Sequence, residues 1–323
     1  GDGDVLIDIG DIDNGEDLAL YPDGRILVSG DSDLRSVVIR LWPDGSFDTG
    51  GQQTLGFDTA SFPPGSNEDV YGMAVQPDGR IVLVGTVTPA LGTERDVALA
   101  RFLPNGVLDT TFGDNGRVAL SVNNFEVGRA VAIQSDGKIV VAGYTGTSNI
   151  QFLIARFHGN GALDASFGFG GFNVLDFAGG PDYANALGIA TDGKIILAGS
   201  VFSGSSMVFG AARFNTNGTV DTSFGFNGKQ TAAFPGAATH WASAAMVQPD
   251  RKILVGGHAN QNFALVRFNE DGSLDGGFGS AGYTITDMGG SDAIHALALD
   301  TFGRIYAAGG GGPNVDFALT QYF

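Results

Sequence analysis

The chain has 323 residues and a formal net charge of −18, from 17 Lys and Arg against 35 Asp and Glu. That excess repels phosphate backbones and anionic membrane surfaces, so nucleic acid is not expected as a partner, whereas cations, basic proteins and neutral glycans remain open. There is no cysteine, which removes disulfides and thiolate chemistry, and apolar runs such as 81–84 are far too short for membrane insertion.

Gly occurs 52 times beside many Val, Ile, Phe and Thr, a composition of short strands joined by tight turns. In chain order the first predicted element is a strand at Val5 to Ile9. A phrase of the form PDG-(Arg/Lys)-Ile-x-x-x-Gly then recurs, with its turn position at Gly24, Gly79, Gly137, Gly193, Arg251 and Gly303. The steps of 55, 58, 56, 58 and 52 residues match a four-stranded propeller blade and not a helical repeat unit. The third unit shows the pattern: strands at Ala130 to Gln134, Lys138 to Gly143, Phe152 to Phe157 and Phe172 to Phe177, with the first two joined at Gly137.

The last unit ends after its third strand, at Phe317 to Phe323. The chain start offers the fourth, because Gly3 stands 21 residues before Gly24, as Gly116 does before Gly137 and Gly282 before Gly303. The expectation is an all-β, six-bladed β-propeller of four-stranded blades, a single domain over 1–323. In it residues 1–14 supply the closing outer strand of blade six, leaving no open sheet edge.

The phrases QPDGRIVLVG, ALARFLPNGVLDTTFGDNG and ARFNTNGTVDTSFGFNG resemble the bacterial delta-60 repeat, a β-propeller family of uncharacterised role found mainly in large secreted or surface proteins. The resemblance covers nearly the whole chain and departs at 48–52, which lack the Phe-Gly step, and at Arg251, which replaces the turn Gly. It implies an extracellular or cell-surface setting and carries no catalytic motif to transfer.

Residues present in every blade read as scaffold, since one site does not need repeated copies. Arg40, Arg101, Arg156, Arg213 and Arg267 share a third-strand position, each followed eight residues later by Asp48, Asp109, Asp164, Asp221 or Asp275. They read as ion pairs locking strands within or between blades. Phe112, Phe167, Phe224 and Phe278 recur likewise and read as core, each fully buried ring contributing about 1.5–3 kcal/mol.

Eleven residues before each turn stand Asp13, Glu68, Glu126, Asp182, His240 and Asp292, at the edge where the irregular loops lie. They read either as a negative ring attracting cations or as carboxylates binding crossing-loop amides, with His240 breaking the symmetry. His240, Trp241, His258, Asp292 and His295 are the candidate ligand-binding residues on that rim, for a protein or glycan ligand. Asp11, Asp13, Glu16, Asp17, Asp31 and Asp33 form an oxygen-rich cluster at the first blade, chemistry that suits calcium. No GxSxG, HExxH or Walker loop is present.

Three functions follow as alternatives. One is a secreted binding or assembly module on the irregular rim. Another is a glycan hydrolase or lyase using rim carboxylates with His240 or His295. The third is a self-assembling subunit of a surface layer or filament, with its contact near Gln52 to Ser66.

Overall fold

The computed structural model describes residues 13–21, 23–32, 35–48, 67–88, 94–123, 125–312 and 316–323. The N-terminal strand expected to close blade six and the segment Gln52 to Ser66 lie outside the described residues. No helix occurs among the described residues.

Blade one contains β1 (Asp13–Leu20), β2 (Ile26–Ser32) and β3 (Arg35–Leu41). Blade two contains β4 (Asn67–Val75), β5 (Ile81–Thr88), β6 (Asp96–Phe102) and β7 (Arg117–Leu120). Blade three contains β8 (Glu126–Ile133), β9 (Ile139–Thr145), β10 (Gln151–Phe157) and β11 (Phe172–Leu175). Blade four contains β12 (Tyr183–Ile189), β13 (Ile195–Phe202), β14 (Met207–Phe214) and β15 (Lys229–Ala232). Blade five contains β16 (His240–Val247), β17 (Ile253–Ala259), β18 (Asn262–Phe268) and β19 (Tyr283–Thr286). Blade six contains β20 (Ala293–Leu299), β21 (Ile305–Gly311) and β22 (Asp316–Tyr322).

Each blade is one sheet whose strands neighbour one another in chain order, the all-β, six-bladed β-propeller that the repeat predicts. β8 begins earlier than the sequence suggests, at Glu126 rather than Ala130, and the hydroxyl of Thr145, the last residue of β9, donates to the Glu126 carboxylate.

The chain divides into two compact units. Unit 1 comprises residues 1–141, 145–147 and 155–164, and unit 2 comprises 142–144, 148–154 and 165–323. In unit 1, β1 packs on β4 and β4 on β8; in unit 2, β12 packs on β16 and β16 on β20. The first strand of a blade is therefore the inner one, with its start at the irregular loops and its end at the PDG turn.

The repeated Arg and Asp residues do pair, and the structure adds a third member. Arg213 Nε lies 2.7 Å from Asp221 Oδ2, and Lys194 Nζ, directly after the PDG turn, lies 2.8 Å from the same oxygen. Arg80 joins Arg101 on Asp109, and Lys252 joins Arg267 on Asp275, in the same way. This explains why the phrase demands Arg or Lys after PDG. The guanidiniums of Arg101, Arg213 and Arg267 also donate or stack beyond the pair: Arg101 reaches the Gly159 carbonyl, Arg213 the Glu270 carbonyl, and Arg267 lies 4.5 Å over the Phe278 ring. Phe112, Phe167, Phe224 and Phe278 are all buried, as core residues should be.

The closing Gly of the phrase answers to a bulge in the first strand. The register of β16 against β17 shifts between Ala242 and Ala244, leaving Ser243 as the extra residue. Tyr71, Asn185 and His295 are the extra residues in β4, β12 and β20. Bulging brings the first-strand backbone close to the second, so a side chain at Gly257 would collide with the Trp241 carbonyl oxygen. The extra residues stitch neighbouring inner strands: Asn185 Nδ2 donates to the Ala242 carbonyl at 2.8 Å, and the Ser243 hydroxyl donates to the Ile294 carbonyl.

Candidate ligand-binding rim

The side chains entering the inner strands of blades three to six are clamps for the crossing loop. Glu126 is fully buried and accepts from the amides of Val122 and Asn123 and from the Thr145 hydroxyl. Asp182 accepts from the Phe177 amide at 2.7 Å with one oxygen and from the Phe202 amide at 3.0 Å with the other. Asp292 repeats this with Met288 at 2.7 Å and Gly312 at 2.8 Å. A buried carboxylate with two amide donors satisfies loop N–H groups that would otherwise be orphaned. Burial nevertheless pushes the Asp182 carboxyl up to about 6, against the lowering effect of those amides.

His240 does the same work with an imidazole. Its Nε2 accepts from the Phe234 amide at 3.0 Å, so Nδ1 carries the proton and donates to the Met207 carbonyl at 3.1 Å. The ring stacks on Phe234 and is buried. An imidazole offers one acceptor and one donor where a carboxylate offers two acceptors, which is why its second partner is a carbonyl. Both nitrogens are committed to the backbone. The three histidines do not form a ligand set here: among the described residues no group of three His, Asp or Glu side chains is arranged to hold a metal ion.

Trp241 and His258 are brought together as directly paired residues of β16 and β17, and so share one face of the sheet. His258 is half-buried, its Nδ1 has no hydrogen-bond partner, and burial, followed by the nearby His240 and His295, pushes its pKa down. His295 is exposed on the β20 bulge, and the Asp292 amide donates to the Gln261 carbonyl of the β17–β18 turn.

Sequence reasoning missed two partners of Trp241. Its ring lies 5.4 Å from that of Tyr183, which lies 5.1 Å from that of Tyr144. All three belong to unit 2 and make a strip along the loop-bearing ends of β16, β12 and β9. Trp241 is 39% exposed and the tyrosines are half-buried. The signal was present: Tyr183 and Trp241 occupy one repeat position, where blades two, three and six carry Asp69, Val127 and Ala293.

The first-blade acidic cluster is only partly within view. Asp11 and Asp33 lie outside the described residues, and Asp13 and Asp31 are placed as strand positions of β1 and β2. Glu16 is exposed, while Asp17 accepts from the amides of Met73 and Leu18, with burial pushing its carboxyl up.

A β-propeller domain family of unknown function (DUF5122) matches residues 22–50, 76–112, 134–167, 190–224 and 248–278, together just over half of the chain. The chain belongs to this family. No curated protein matches it in sequence. Among solved structures it is similar to a virginiamycin B lyase from Staphylococcus aureus, with 10% identity, a TM-score of 0.56, and 95% of this chain and 83% of that chain covered. It is similar also to a PQQ-bound aldose sugar dehydrogenase from Streptomyces coelicolor, with 13% identity, a TM-score of 0.55, and 97% and 94% covered. A gluconolactonase from Xanthomonas campestris gives 14% identity, a TM-score of 0.50, and 95% and 85% covered. At these identities the likeness shows the propeller fold alone.

Proposed function

We propose that this DUF5122 propeller is a non-catalytic binding module whose ligand surface is the loop-bearing rim of unit 2, centred on Trp241. One observation carries the reading. Of the residues there with acid–base potential, Asp182, His240 and Asp292 are buried and hold backbone groups with both of their polar atoms, while an aromatic strip stands open beside them, with His258 and His295 next to it. General acid–base catalysis needs a titrating group within hydrogen-bond reach of substrate, and the three buried groups are turned into the scaffold. Exposed Trp and Tyr are the groups that bind by contact area, with little conformational entropy lost.

The perturbed Asp182 carboxyl is the strongest argument for the hydrolase alternative. Its two amide donors and full burial support a structural origin for that perturbation. The test is calorimetric titration of the chain and of Trp241→Ala with immobilised-array hits from glycans and peptides, followed by recovery of the ligand. The reading expects binding that weakens at least tenfold in the variant, with the ligand returned unaltered. Turnover of the ligand that disappears in Asp182→Asn would overturn it.

A further inference from the structure

The chemistry around the strip narrows the ligand class. Most of the net charge of −18 belongs to unit 1, and the carboxylates of unit 2 are largely occupied. Asp221 and Asp275 are neutralised by Lys194, Arg213, Lys252 and Arg267, Glu270 pairs with Arg251, and Asp182 and Asp292 are the clamps already described. The connections between second and third strands that flank the aromatic rings carry no charge at all: Ser148, Asn149 and Ile150 in blade three, 203–206 (Ser-Gly-Ser-Ser) in blade four, and Asn260 with Gln261 in blade five. The corresponding connections of blades one and two carry Asp33, Glu94 and Arg95. An uncharged edge of hydroxyls and amides thus lines aromatic rings that run in two steps of 5.1 and 5.4 Å.

We infer that this rim binds an uncharged oligosaccharide, with the C–H faces of successive sugar rings against Trp241 and Tyr183. The inference rests on the reading of the rim as a binding surface and adds the ligand's class. A polyanion would meet a net acidic protein, and the loops between second and third strands beside the strip offer a basic peptide no carboxylate. A neutral sugar needs no counter-charge. Its hydroxyls suit the Ser and Asn side chains of the flanking loops, and its apolar faces suit aromatic rings.

Trp42 and Trp241 are the two tryptophans, so Trp42→Phe leaves Trp241 as the sole indole reporter. Its fluorescence is to be titrated with neutral β- and α-linked hexose and N-acetylhexosamine tetramers, a tetramer of uronic acid, and oligolysine. Expected are a saturable blue shift with at least one neutral tetramer, no shift with the uronate or oligolysine, and at least tenfold weakening in Tyr183→Ala. Circular dichroism of that variant establishes that it is folded, and Tyr183→Phe, which keeps the ring, restores binding. A saturable shift with oligolysine or uronate alone would overturn the inference and leave the binding-surface reading standing. Silence of Trp241 toward every probe would overturn both.

Discussion

The Trp241 carbonyl occupies the space that a side chain on Gly257 would need, so the phrase that closes every repeat with Gly also sets the backbone of the aromatic rim. Replacing Gly257 by Ala must push β17 away from β16 at the bulge. We expect a loss of about 3 kcal/mol, at the upper end for overpacking, since the obstacle is backbone. Urea unfolding measures it, and Trp241 emission in the Trp42→Phe background should shift to the red in the same variant. Gly277→Ala, whose site meets nothing but an Asp275 oxygen, should cost far less.

Arg251 holds the turn position with φ 67°, where the other described repeats use Gly. A side chain in the left-handed region costs roughly 1–2 kcal/mol, partly offset on return to Gly by the extra freedom of the unfolded chain. Arg251 also pairs with Glu270 at 2.6 Å, but both side chains are nearly half exposed and the pair adds little. Arg251→Gly should therefore raise stability by about 0.5–1 kcal/mol, read as an increase in urea midpoint with unchanged slope.

Asp221, Asp109 and Asp275 should make the fold acid-labile. Burial alone would raise the Asp221 carboxyl, yet Lys194, the Ser223 hydroxyl and amide, and Arg213 together hold it well below the usual range. Asp109 and Asp275 are lowered against burial by Thr111 with Arg101 and by Lys252 with Gly277 and Arg267. Groups lowered on folding give stability that is fully present above the unfolded carboxylate value and is lost as pH falls through the folded ones. Urea midpoints should thus fall steeply below about pH 4. Asp221→Asn at pH 7 should cost about 3 kcal/mol, because Arg213 stays buried without its counter-charge.

Asp182 works in the opposite direction. Its carboxyl is raised to about 6, so its favourable contribution is complete below the unfolded value and is lost as pH rises through about 6. Stability of Asp182→Asn relative to the natural chain should improve by roughly 2–3 kcal/mol between pH 4 and pH 7. A constant difference across that range would show that the carboxylate is not destabilised by burial.

Much of this fold was legible because a blade repeats its physics. The turn glycines, the Arg and Asp eight residues apart and the buried phenylalanines each recur, and each proves structural. The second cation on each Asp was not legible as such, because the pairing joins residues 23 to 29 positions apart in chain and depends on strand register. The rim was legible only in part. The position holding His240 stood out by breaking a row of carboxylates, but its break is explained by a carbonyl partner at Met207, which no spacing reveals. Trp241 stood out beside it, whereas Tyr183 and Tyr144 join it only because β9, β12 and β16 bring their loop-bearing ends together.

The most direct measurement is a crystal structure at about 2 Å of the chain soaked in the neutral tetramer that shifts Trp241 emission. The account predicts sugar density lying against Trp241 and Tyr183, hydrogen-bonded to the uncharged loops, with Asp182, His240 and Asp292 still holding their backbone partners. Sugar seated against a released Asp182 or His240, or an ion held between His240, His258 and His295, would contradict it.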